Sequence, residues 1–284
     1  MKKLLLQSII FCIFSVVHAE IYRSPITQNH EHVVIFFDLD KVVLNESGGL
    51  GKLWAALITV PLKKSIPILL RQRKRLAKLV KEARYDGQKL KGLKANLDCI
   101  LEAEPSLKPY RAKLISRLNK VSPRTDMIRF LNTVRMMGVP LAIATNNDYE
   151  SLRIKIDRLN RKLCKKDISP FIYDACFCAG SCPELVDTSA PHGIPAGFVY
   201  GGKDTDEYFA QFFDFIEAEL GFDKYKTLFI YIDDLGKNIS RARRVAQQEG
   251  VQLYAVYRNK ADKKIINEMR ILFRNIPIPV CIGI

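Results

Sequence analysis

Beyond Val17 this chain has no apolar run long enough to span a bilayer as a helix. Trp54–Val60 and Ser65–Leu70 come nearest, and Lys63-Lys64 divide them. Paired cysteine knuckles of the zinc type are also missing. The spacing Cys176-x-Cys178-x₃-Cys182, with His192 beyond it, does not match them, so a metal role ranks behind disulfides and buried thiols. Acidic residues are scarce between positions 51 and 122, where 18 Lys+Arg meet 5 Asp+Glu. That segment carries +13 of the total +15, and Lys2 and Lys3 supply the remainder. Such asymmetry marks a segment with its own partner or its own solvent face. Stacking aromatics are thin among those bases, which alternate mostly with Leu and Ala, and this disfavours nucleic acid.

The first nineteen residues read as an export signal. Lys2-Lys3 form a basic start, Leu4–Val17 an apolar core, and Val17-His18-Ala19 a small-residue cleavage site. The expectation is a periplasmic or secreted mature chain beginning at Glu20. Its six cysteines, Cys99, Cys164, Cys176, Cys178, Cys182 and Cys281, would then meet an oxidising compartment. Six cysteines allow 15 full pairings, so connectivity stays open.

Two buried-strand patterns end in acidic pairs. Val33-Val-Ile-Phe-Phe runs into Asp38-Leu-Asp40, and Thr227-Leu-Phe-Ile-Tyr-Ile into Asp233-Asp234. Unbroken apolar strands suggest burial on both faces, as in a parallel sheet, and such sheets gather ligands at their carboxyl edge. Four carboxylates in one crevice repel unless a cation lies among them, and an oxygen-rich set suits Mg²⁺. A third strand pattern, Leu141-Ala-Ile-Ala, ends in Thr145-Asn146-Asn147, and Lys203 follows Gly201-Gly202 at the start of a helical pattern. Between and after these elements come helical stripes. Thr125 is placed to cap one, Leu152, Ile156, Leu159 and Leu163 mark a second, and Thr205 opens a third. Asn238 opens a fourth, ended by Gly250. Phe171-Ile-Tyr is a further strand candidate, Val251–Tyr257 a last strand and Ala261–Phe273 a last helix. Alternating strands and helices predict a doubly wound parallel α/β sheet.

Asp-x-Asp-x-Val, strand-Thr, Lys and Asp-Asp, in that order, resemble the haloacid dehalogenase-like (HAD) superfamily of phosphohydrolases and phosphotransferases. The match covers roughly Val33–Asn45 and Ser122–Asn275, and the pattern is most similar to secreted bacterial members. The resemblance implies a Rossmann-like core at 20–46 and 122–284 with a helical cap inserted at 47–121, hinged at Ser47–Gly51. Leu90, Leu93, Leu97, Leu101, Leu114 and Leu118 give helical spacing there, without a strand pattern.

The resemblance also implies roles. Asp38 would be the nucleophile and Asp40 the acid and base. Thr145, Asn146 and Lys203 would bind phosphate. Asp38, Asp40 (through its backbone carbonyl), Asp233 and Asp234 would hold Mg²⁺, or Asp234 would instead orient Lys203. Asn238 either braces the metal or only caps its helix, and Asn147 lines the pocket or only forms a turn. His192 receives no role. Val42 stands where many members have Thr, and both residues are common there. Retaining Asp40 disfavours branches that lack it, the dehalogenases included.

The expected activity is Mg²⁺-dependent hydrolysis of a phosphomonoester on a small molecule or lipid headgroup, through an aspartyl phosphate. Two rivals stand beside it: a phosphotransferase, and a binding or host-interaction protein that works through its basic insert. The insert's charge has three readings: a solvated face, a lid that steers polyanions, or a dock on an anionic membrane through Lys63–Arg84.

Overall fold

The computed structural model describes residues 30–45, 74–75, 78, 82, 84–85, 88–89, 93–118, 120–179, 194–199, 201–258 and 262–275. The leader Met1–Ala19, the glycine hinge Ser47–Gly51, the stripe residue Leu90, Cys182, His192 and the tail Ile276–Ile284 lie outside them. Among the described residues no helix is long and apolar enough to cross a membrane.

Strand β1 (His32–Phe37) lies inside a six-stranded sheet. The other strands are β4 (Leu141–Thr145), β5 (Ala175–Ala179), β6 (Ala196–Val199), β7 (Thr227–Asp233) and β8 (Gln252–Tyr257). The order is β6-β5-β4-β1-β7-β8, and every pairing is parallel. From β1 the chain builds one wing, then returns to build the other, so the carboxyl edge reverses direction beside β1. A crevice opens at such a reversal.

Side chains of β1 alternate between two buried faces. Val33, Ile35 and Phe37 join one core with helices α3 (Thr125–Met136), α4 (Tyr149–Cys164) and α7 (Asp262–Asn275). Val34 and Phe36 face the other core with α5 (Asp206–Leu220) and α6 (Gly236–Glu249). All of β4 and β7 is buried, as unbroken apolar strands require. The second core is aromatic: Phe36 stacks on Tyr231 at 4.4 Å and 11°, and Phe209, Phe212, Phe213 and Phe229 pack around that pair. The doubly wound α/β class is therefore present.

Thr205 caps α5, its hydroxyl accepting from the Tyr208 amide, and Gly250 ends α6 at φ +71°. Thr125 is not a cap. Arg124 holds that position, because its amide donates to Val43 O at 2.9 Å and ties the helix start to the loop after β1. Phe171–Tyr173 is not a strand either. Asp174 accepts from the Leu141 amide at 2.9 Å and from Arg135, and the strand begins only after this anchor, at Ala175.

Between β1 and α3 lie α1 (Leu93–Ala103), a 3₁₀ segment (Pro105–Tyr110) and α2 (Arg111–Leu118). Leu97, Leu101 and Leu114 are buried there. The all-helical expectation fails at one point, where β2 (Arg84–Tyr85) pairs antiparallel with β3 (Gln88–Lys89). The intervening Asp86-Gly87 is the dipeptide that favours a two-residue hairpin, and it was the missed indication.

Candidate active site

Parallel register brings three strand ends level. Phe37 pairs with Ile143 on one side and Ile232 on the other, and the Asp38 amide donates to Ile232 O at 3.0 Å. Asp38 therefore stands between Thr145, at the end of β4, and Asp233, at the end of β7. Asp40 is off the strand, in a tight loop in which Val43 N and Leu44 N both donate to Leu39 O. Lys41 sits in that loop at φ +61°, a backbone region that side chains with a Cβ seldom occupy.

Lys203 is the hub. It is 1% exposed, and its ammonium donates to Asp38 Oδ1 at 2.7 Å and Asp233 Oδ2 at 2.8 Å. Its amide donates to Asn146 Oδ1 at 2.9 Å, and its carbonyl accepts from Arg241. Asp233 is crowded with further donors: the Tyr231 hydroxyl, the Leu235 amide at 2.7 Å and Asn238 Nδ2 at 3.2 Å from each oxygen. Asn238 is thus no N-cap. Leu235 takes that place, and Asn238, in the first turn of α6, reaches back to Asp233.

These surroundings separate the two carboxylates that share Lys203. Burial pushes Asp233 up, but Lys203, the Tyr231 hydroxyl and the Leu235 amide outweigh it and hold Asp233 below its ordinary range. At Asp38 burial prevails over Lys203, and with the nearby Asp233 and Asp40 charges it lifts the carboxyl to about 7. Burial pulls Lys203 down, but the two carboxylates more than reverse it, so Lys203 is a firmly held cation. Of the pair, Asp233 is the more firmly ionised and Asp38 the one whose charge burial makes costly.

Asp40 has a partner that the sequence reading missed. Lys155 of α4 is 0% exposed, and its ammonium donates at 2.8 Å to both Asp40 oxygens and to Asn147 Oδ1. Asn147 Nδ2 reaches Asp40 Oδ2 at 3.3 Å and Thr145 Oγ1 at 2.7 Å, and its amide also donates to Thr145 Oγ1 at 3.1 Å. Asn147 therefore links Asp40 to Thr145. The indication was positional: Lys155 lies three residues after Leu152 and four before Leu159, inside the apolar stripe.

Asp234 pairs with Lys41 at 2.8 Å, so it is Asp233, not Asp234, that engages Lys203. Four carboxylates thus meet three lysines, which supply much of the expected cation. A hard divalent ion still finds oxygen donors of the right chemistry in Asp38, Asp234 and the Asp40 carbonyl. Asp233, with its oxygens already engaged, fits better as the anchor of Lys203. Among the described residues no three His, Cys, Asp or Glu side chains are clustered as a preformed metal site, so a cation would have to rearrange at least one lysine. Cys99, Cys164, Cys176 and Cys178 form no disulfide, and the latter two are buried thiols on β5.

No protein-family model and no curated protein sequence matches the chain. Solved structures do. One is a HAD family enzyme from Bacteroides thetaiotaomicron in complex with magnesium and inorganic phosphate, at 13% identity over 82% of this chain and 98% of that one, TM-score 0.42. A second is the L-2-haloacid dehalogenase from Xanthobacter autotrophicus with chloropropionic acid covalently bound, at 14% identity over 84% and 82%, TM-score 0.42. A third is a HAD-superfamily hydrolase from Ehrlichia chaffeensis, at 14% identity over 84% and 97%, TM-score 0.40. The structural neighbours are HAD-superfamily hydrolases. Their chemistries differ, and the roles of the residues above rest on this chain's own geometry.

Proposed function

We propose that this chain is a Mg²⁺-dependent phosphatase that forms an aspartyl phosphate on Asp38. The carrying observation is the Lys203 ammonium held between Asp38 and Asp233 at the carboxyl edge, with Thr145 and Asn146 at the end of the adjacent strand. A phosphoryl group seated against Asp38 meets a fixed positive charge there, as an anion in a poorly hydrated site requires. Asp38, Asp234 and the Asp40 carbonyl would hold Mg²⁺, which when bound neutralises phosphate oxygens.

The chain's own groups do the rest. Ionised Asp38 attacks phosphorus and the ester oxygen leaves with a proton carried by Asp40; water then attacks phosphorus, gives a proton back to Asp40, and releases phosphate and the Asp38 carboxylate. Asp40 Oδ1 accepts one donor, Lys155, and keeps a second lone-pair direction for the proton of the leaving oxygen or of the incoming water. Asn147 keeps Thr145 Oγ1 as an acceptor on two sides, which leaves the hydroxyl hydrogen for the phosphate. In this proposal residues 47–121 form the basic cap that selects a phosphorylated small molecule or headgroup, and residues 1–19 export the chain.

The test is phosphate release from a panel of phosphomonoesters with Mg²⁺, beside Asp38→Asn, an EDTA arm and a 2-haloacid arm read as halide. Phosphate release lost in Asp38→Asn and in EDTA is the expected result. Halide release without metal would replace the proposal with dehalogenation.

A further inference from the structure

We infer that Lys41 is a tethered counter-ion that competes with the divalent cation for Asp234 and so sets the metal affinity of the site; the inference rests on the Mg²⁺ reading above. Three observations carry it.

The first is mobility. Lys203 and Lys155 are sealed in the core with two or three fixed acceptors each, whereas the Lys41 side chain is 43% exposed and has one partner, Asp234 Oδ2 at 2.8 Å. Of the three lysines at the four carboxylates, Lys41 loses least by swinging into water, since it is the most exposed and has the fewest acceptors.

The second is position. The Asp234 side chain is 10% exposed and that of Lys41 43%, so the lysine is the more solvent-accessible member of the pair. Lys41 donates to Asp234 and also lies within reach of the negative charge of Asp38. It therefore stands in the field of both carboxylates that would grip a divalent ion.

The third is the backbone. Lys41 adopts φ +61°, a region that glycine enters without a steric penalty. Leu39, Val42, Val43 and Leu44 around it are fully buried, and two amides converge on Leu39 O. The loop is locked by its apolar neighbours, and the only freedom left to Lys41 is its side chain. The lysine thus occupies a strained position that a glycine would fill more easily, and what it brings there is a charge.

A divalent ion entering between Asp38 and Asp234 must displace that ammonium and then tolerate it nearby. Lys41→Gln removes the competing charge and keeps most of the side-chain length; Lys41→Gly removes it and relaxes the backbone. Mn²⁺ binding to the full-length protein, followed by loss of the free-ion electron paramagnetic resonance signal, reads affinity directly and without turnover. Both variants are expected to bind Mn²⁺ roughly tenfold more tightly than wild type. In an Asp234→Asn background the gain should vanish, with Lys41→Gln/Asp234→Asn no tighter than Asp234→Asn. Circular dichroism checks that each variant is folded.

Unchanged or weaker Mn²⁺ binding in folded Lys41→Gln, beside measurable binding in wild type, overturns this inference and leaves the metal reading standing. Absence of Mn²⁺ and Mg²⁺ binding in wild type and in both Lys41 variants overturns the two together.

Discussion

Lys155→Met tests whether the buried ion pair with Asp40 holds the site together. Methionine matches the lysine stem in length and suits a helix face shared with Leu152, Ile156 and Leu159, so little packing is lost. What disappears is an ammonium that meets three acceptors at 2.8 Å. Asp40, 8% exposed, would keep only the Asn147 amide at 3.3 Å. Removing one partner of a buried pair costs about 3–5 kcal/mol, and the slight exposure of Asp40 points to the lower end, about 3 kcal/mol. In a chain of this size that corresponds to a fall in Tm of roughly 6–12 °C. Lys155→Met/Asp40→Asn removes both charges together and should recover most of the loss, to within about 1 kcal/mol of wild type. Urea and thermal unfolding of the four proteins close the cycle. If Lys155→Met lies within about 1 kcal/mol of wild type, or if the double variant is no better than the single one, the pair does not carry the stability assigned to it.

Asp38 predicts a pH signature. Its carboxyl titrates at about 7 in the folded chain against 3.8 as the ordinary value, so folding binds the proton more tightly. That contribution is complete below 3.8 and is lost as pH rises through about 7. In EDTA, wild type should therefore lose stability relative to Asp38→Asn between pH 4 and 7, read as the difference between two Tm curves; parallel curves would refute it. Gly197→Ala on β6 would place a Cβ 2.3 Å from the Phe177 ring and 2.8 Å from Phe215. Overpacking of this kind costs about 1–3 kcal/mol, visible as a lower urea midpoint with an unchanged slope.

The strands that carry the site were readable because each is an apolar run of the right length ending in a polar residue. β1 is His32–Phe37 as expected, and Thr145 and Asp233 each fall on the last residue of their strand. Local chemistry was readable where it acts locally, as at Thr205 and Gly250. What escaped depends on partners far along the chain. Lys155 and Asp40 are 115 residues apart, and a lysine inside an apolar stripe signals burial but names no partner until the fold brings a carboxylate to it. Asn238 has the chemistry of a cap, and only the strand end before it shows that its amide is already engaged by Asp233. Strand β5 begins at Ala175 rather than at Phe171, because Asp174 is an anchor set by a tertiary contact.

The sheet separates two helical layers, and the acids at its carboxyl edge are governed from opposite sides. Asp40 is clamped by α4, in the layer that packs on Val33, Ile35 and Phe37. Asp233 is held by Tyr231, whose ring lies in the aromatic layer beneath α5 and α6. The gap between these acids is therefore a vernier on how the two layers sit against the sheet. A shift of α4 too small to disturb the fold would carry Lys155 along and draw the Asp40 carboxylate with it, while Asp38 and Asp233 stayed in place. Substitutions deep under either layer, far from the crevice, thus reach the chemistry by changing spacing rather than by unfolding the chain.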